Sequence, residues 1–117
     1  MRIDFDGYLT NVVIALMVEN LKRAGKIPQR ASDQEAFDQL AGLSVGDCNL
    51  EQTKLTDGIG ILWTLRSPWD GAHMSGNVTF TTSAVAELRN LHRKLLSSAA
   101  PRHIEFPAGT TFLIHSA

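Results

Sequence analysis

Two carboxylates, Asp4 and Asp6, stand at alternate positions at the end of a short apolar start, and Gly7 follows them directly. Carboxylates so placed can divide a reaction between them. One attacks an electrophile such as phosphorus, the other moves the proton, and a divalent cation offsets the crowded charge. A second group of interest is Pro68-Trp69-Asp70, at a turn signal where burial of an indole is not expected. An exposed indole is a natural anchor for a protein partner. A third is the basic cluster Arg89, Arg93, Lys94 and Arg102, with His92 and His103 among them. Its first reading is a solvated helix face with cations near the C-terminus, where the helix dipole favours them. Its second is a small anion-binding patch.

The remaining reactive side chains point to less. His73, His92, His103 and His115 lack the close spacing of a helical metal site. Cys48 is the single cysteine, so no intramolecular disulfide can form and a thiolate-rich zinc site is excluded within one chain. Nothing near it in sequence would activate it, and it reads as a buried or half-buried thiol. A lone cysteine fits a reducing cytoplasm.

The elements that must position these groups follow from periodicity. Met1, Ile3 and Phe5 alternate with Arg2, Asp4 and Asp6, which predicts a short strand. Leu9, Val13, Leu16, Met17 and Leu21 trace a helical stripe over 9–24, and Gly25 stops it. Ser32 to Glu35 form a capping box that opens a second helix with Phe37 and Leu40 inward. Residues 44–57 read as polar and irregular. Ile59, Ile61, Trp63 and Leu65 share one face of a strand over 58–67, which places Trp63 in the core. The turn 67–71 returns the chain as a strand over 73–81 with Met74, Val78 and Phe80 inward. Ser83 can cap a helix over 84–97, and short strands over 103–106 and 111–115 close the chain.

The chain of 117 residues is read as one domain over 1–117. Its fold class is α+β: an antiparallel sheet of four to five strands with two to three helices on one face. The collapsed order β-α-β-β-α-β is the ferredoxin-like one. A net charge of -1 creates no global attraction for nucleic acid or anionic lipid. Residues 1–58 carry nine acids and six bases; residues 59–117 carry three acids and five bases. The longest apolar run, Val12 to Val18, is too short to span a bilayer core of about 30 Å. The faces opposite the apolar stripes of the two central strands carry no aromatic residue, which speaks against the base-stacking mode of RNA binding.

Two resemblances bear on function. Asp4-Phe5-Asp6-Gly7-Tyr8-Leu9-Thr10 resembles the nucleophile motif of the haloacid dehalogenase superfamily, Asp-x-Asp-Gly-Thr-Leu-Thr. This implies Asp4 as nucleophile, Asp6 as acid/base, Mg²⁺ as cofactor and a parallel sheet with residues 2–6 central. It covers seven residues. Tyr8 replaces the usual small residue, and after Asp70 the only acids are Glu87 and Glu105, so the late acidic motif of the Mg²⁺ site has no counterpart. The stretch from Glu105 to Ile114 resembles the closing hairpin of mono-ADP-ribosyltransferases, with Arg66 and Thr81-Thr82-Ser83 as loose counterparts of that family's other motifs. His103 stands where the family places its catalytic glutamate, so transfer activity is not implied.

The sequence therefore favours a small, soluble, non-enzymatic interaction or ligand-binding protein without a cofactor. Pro68, Trp69 and Asp70 are its candidate interface; a protein, a small ligand or a second copy of the chain is its candidate partner. A minimal Mg²⁺-dependent phosphatase using Asp4 and Asp6 is the alternative.

Overall fold

The computed structural model describes the backbone of residues 2–3, 7–44, 46–97 and 106–115, and within it all side chains except those at 2, 3, 7–9, 89 and 91–97. The elements are β1 (Arg2–Ile3), α1 (Gly7–Arg23), α2 (Asp33–Ala41), β2 (Cys48–Leu55), β3 (Gly58–Arg66), β4 (His73–Thr81), α3 (Thr82–Ser97) and β5 (Thr110–His115). All five strands form one sheet in chain order. β1 runs parallel to β2, and β2 through β5 form an antiparallel series. The fold is α+β. Its strands neighbour one another in sequence, without the split βαβ units of a ferredoxin-like sheet.

The polar segment 44–57 differs most from its sequence reading. It contains β2, whose eight residues pair with residues 58–65 of β3, from Cys48↔Leu65 to Leu55↔Gly58. Only Cys48 and Leu50 are buried; the next inward positions, Gln52 and Lys54, are exposed. Helical cover ends after Leu50, so the apolar alternation that marks a half-buried strand also ends there. The strand read at 103–106 lies outside the described residues, except that Phe106 precedes β5 as a half-buried loop residue.

α1 carries more apolar residues than one stripe requires. All seven residues from Val12 to Val18 are buried. Such a helix needs cover on every side. It touches α2 and α3 and shares one core with the inner sheet face. Its end is a Schellman motif: the Lys26 N–H donates to the Leu21 carbonyl at 2.8 Å and the Gly25 N–H to the Lys22 carbonyl at 3.0 Å. Gly25 adopts φ +75°, the left-handed conformation that this motif asks for. At Ser32 the first half of the capping box forms, with Glu35 N–H donating to Ser32 Oγ at 3.1 Å, whereas the Glu35 side chain accepts at 3.1 Å from the Ser32 hydroxyl and not from the Ser32 backbone N–H that the motif calls for. α3 begins earlier than its sequence reading. Thr81 Oγ1, and not Ser83, accepts the Ala84 N–H at 3.3 Å. No helix among the described residues is long and apolar enough to cross a membrane.

The inner face is organised around Trp63. Register sets Trp63 directly opposite Gly76 on β4. A Cβ at position 76 would collide with the Trp63 ring and with the Leu113 carbonyl. The indole therefore lies across β4 and stacks on Phe112 of β5, with centroids 5.3 Å apart and planes at 20°. Gly76→Ala is expected to lower stability by about 1–3 kcal/mol, because the ring or the strand must move. Urea unfolding monitored by tryptophan fluorescence measures this; an unchanged midpoint would refute the packing account.

Cys48 starts β2 fully buried and unpaired, and burial pushes its thiol up from 9.0 to about 11. The folded thiol keeps its proton in a pH range where the unfolded chain releases it. This contribution to stability is present below pH 9 and is lost above it, at about 1.4 kcal/mol per pH unit until the folded thiol ionises. Stability measured from pH 8 to 10.5 should fall more steeply in the natural chain than in Cys48→Ala, and parallel slopes would contradict this assignment.

Candidate functional site

The chemistry-bearing side chains collect at one end of the β3–β4 hairpin, and the turn from Ser67 to Ala72 holds that end rigid. Ser67 N–H donates to the Ala72 carbonyl at 2.9 Å, and Gly71 N–H donates to the Ser67 carbonyl at 2.9 Å. Ser67 Oγ, in a buried residue, accepts the Trp69 N–H at 3.2 Å, and Asp70 Oδ1 accepts the Ala72 N–H at 2.9 Å. These side-chain bonds are the local turns that serine and aspartate favour over regular structure. The Ala72 N–H, followed by the Ser67 side chain, holds the Asp70 carboxyl below its usual 3.8.

A cleft opens on the α2 side of this turn. Trp69 is half-buried and packs against the core, while Pro68 and Asp70 are exposed. The indole lines a cavity of about 460 Å³ with Arg30, Ala31, Glu35, Asp38 and Gln39. Glu35 and Asp38 lie three apart on α2, which puts both carboxylates on one helix face. One oxygen of each is already engaged: Glu35 Oε1 with Ser32, and Asp38 Oδ1 with the Gln34 amide at 2.9 Å. Trp69 and these two carboxylates come together only through tertiary packing. Their sequence separation conceals it.

A groove lies on the opposite face of the sheet, which no helix among the described residues covers. Arg66 and His73 are cross-strand partners there, and Ser75 stands between Thr64 and His115. These residues, with Asp47 on the rim, line about 360 Å³. Further along the face Leu62, Asn77 and Leu113 form a row, with the two leucines 45% and 51% exposed. His115 Nε2 and Asn77 Oδ1 are 2.7 Å apart. The Arg66–His73 pairing was legible in principle, since closing a hairpin over 67–72 sets those two residues opposite each other.

The other sequence candidates separate. Asp4 and Asp6 lie outside the described residues. β1, which leads to them, is an edge strand of a mainly antiparallel sheet, whereas the haloacid dehalogenase resemblance implies a central strand in a parallel one. Thr82 and Ser83 open α3, so they do not continue the strand that the transferase resemblance implies. Arg89, Arg93 and Lys94 belong to α3, with their side chains outside the described set, as is the whole of Arg102. His73 and His115 share the outer groove; His92 and His103 are not described there. Among the described residues no group of three or more His, Cys, Asp or Glu side chains could hold a metal ion. Comparison with family models, curated proteins and solved structures finds no match to this chain.

The turn bonds have a measurable consequence. In a pH titration followed by carboxyl NMR, Asp70 should titrate below 3.8, and Ser67→Ala should move its midpoint part of the way back up. An Asp70 midpoint at its ordinary value in the natural chain would show that the turn is not held in this way.

Proposed function

We propose that the chain is a non-enzymatic interaction domain that receives a cationic side chain of a protein partner in the cleft between Trp69 and α2. One arrangement supports this reading: a half-buried indole faces a cavity whose other wall carries Glu35 and Asp38. An indole attracts a cation through its ring quadrupole, by about 0.5–1 kcal/mol at an exposed site and about 2 when desolvated. The carboxylates supply charge. Arg30 at the same cavity offsets one of them, leaving a net negative cleft. A lysine or arginine matches these features, with its stem along the indole and its head at the acids.

A second copy of the chain is a weaker candidate for the uncovered sheet face. Leu62 and Leu113 stand apart there on either side of Asn77. Stable homodimers bury a continuous apolar centre.

An oligolysine peptide, with oligoglutamate as control, tests the cleft by tryptophan fluorescence. Trp63 is fully buried and serves as the invariant reference. A saturable change with oligolysine is expected, at about millimolar affinity per engaged side chain. It should weaken about tenfold in Glu35→Gln/Asp38→Asn, where glutamine keeps the capping box and removes the charge. Trp69→Ala, which also removes the reporter, should show no saturable shifts at Glu35 and Asp38 in an amide-resolved NMR titration with the same peptide. If oligolysine gives no saturable change, or the double variant binds equally well, the proposal fails.

A further inference from the structure

We infer that the outer-face groove at Arg66, His73 and His115 is a phosphate-binding site, independent of the Trp69 cleft. Three nitrogen-bearing side chains and two hydroxyls converge there from three adjacent strands. Arg66 and His73 form one cross-strand row; Thr64, Ser75 and His115 form the next on the same face. Rows on one face are about 7 Å apart and neighbouring strands about 4.8 Å apart, so these groups surround a space of phosphate-group dimensions. The open groove, of about 360 Å³, leaves room for a small organic group attached to the phosphate.

Several features favour an anion over other ligands. No ion pair among the described residues engages Arg66, so its guanidinium fork is available to two oxygens. Asn77 Oδ1 accepts from His115 Nε2–H at 2.7 Å, which holds the imidazole in place; Nδ1 then donates to a ligand only in the imidazolium form and otherwise accepts from a protonated phosphate oxygen. Thr64 and Ser75 hydroxyls form the row between β3 and β5, where they can donate from below. Among the described residues Asp47 is the one carboxylate lining the groove, and it accepts from Ser44 Oγ at 3.1 Å. Donors in three directions suit the three free oxygens of a phosphate monoester better than the planar pair of a carboxylate. No backbone rearrangement is needed, because the residues are held by the antiparallel ladder itself.

Amide-resolved NMR of the full chain, titrated with inorganic phosphate at constant ionic strength, tests this, with acetate and chloride as parallel arms. Saturable shifts at Thr64, Arg66, His73, Ser75 and His115 are expected with phosphate alone. Arg66→Gln should weaken binding about tenfold or more, and Asp47→Asn should tighten it about threefold. Of the two groove positions changed here, Arg66 is exposed and Asp47 half-buried, and both replacements keep the side chain's size or shape, so these variants should fold. Trp69→Ala should leave the phosphate affinity unchanged, which separates this site from the cation cleft. Shifts no larger than those with chloride would overturn the inference. So would saturation that Arg66→Gln leaves intact, and equal binding of acetate would overturn the assignment to phosphate.

Discussion

The Trp63 ring lying over Gly76 is the contact on which the sheet depends. It joins three strands with one side chain: the indole leaves β3, crosses β4 where no Cβ obstructs it, and meets Phe112 on β5. Cross-strand pairs usually connect only neighbours. Reaching a second strand fixes the register of β5, a strand that follows a long helix and would otherwise rely on its backbone ladder alone. A one-residue slip would carry Phe112 to the outer face. The indole N–H has no hydrogen-bond partner among the described residues, so this packing outweighs a buried polar group left unpaired.

The same constraint determines where ligands can go. With Trp63, Ile61, Leu65, Val78 and Phe80 facing inward, every alternate residue of the central strands faces out. Arg66 and His73 are such outward positions, beside a turn whose indole folds back toward α2. One turn therefore serves two surfaces of different character, acidic with an aromatic wall on the helix side and lined by Arg66, two imidazoles and hydroxyls on the open side. Both are built on a hydrogen-bonded hairpin end, which limits the conformational entropy that a bound ligand would have to offset.

Much of this architecture was legible in the residues, because the relevant signals are local. The stripe of α1, the Ser32 capping box and the alternation of β3 and β4 each lie within a few residues. β2 was not legible, because Gln52 and Lys54 face inward beyond the reach of the helices and erase the alternation. Sheet order was not legible either. Collapsing the helices suggested a split arrangement, but once β2 is recognised, β2, β3 and β4 connect through short turns and pair as consecutive neighbours. At the candidate sites, Trp69 was identifiable from the turn, but its acidic neighbours were not. Glu35 has a complete local explanation as a capping residue, and only packing gives it a second surface.

The short β1 bears on how readily another strand could add to the sheet. Two residues of β1 cover Asn49 and Leu50, and β2 continues past them from Glu51 to Leu55 with that edge unpaired among the described residues. An unpaired strand edge is a template on which another chain can add itself, the first step toward aggregation. Here the stretch carries Glu51 on one face and Lys54 on the other. A strand docking alongside would have to bury a lysine on the side where the helices lie. The polar residues that hid β2 from its periodicity thus act as guards of an open edge.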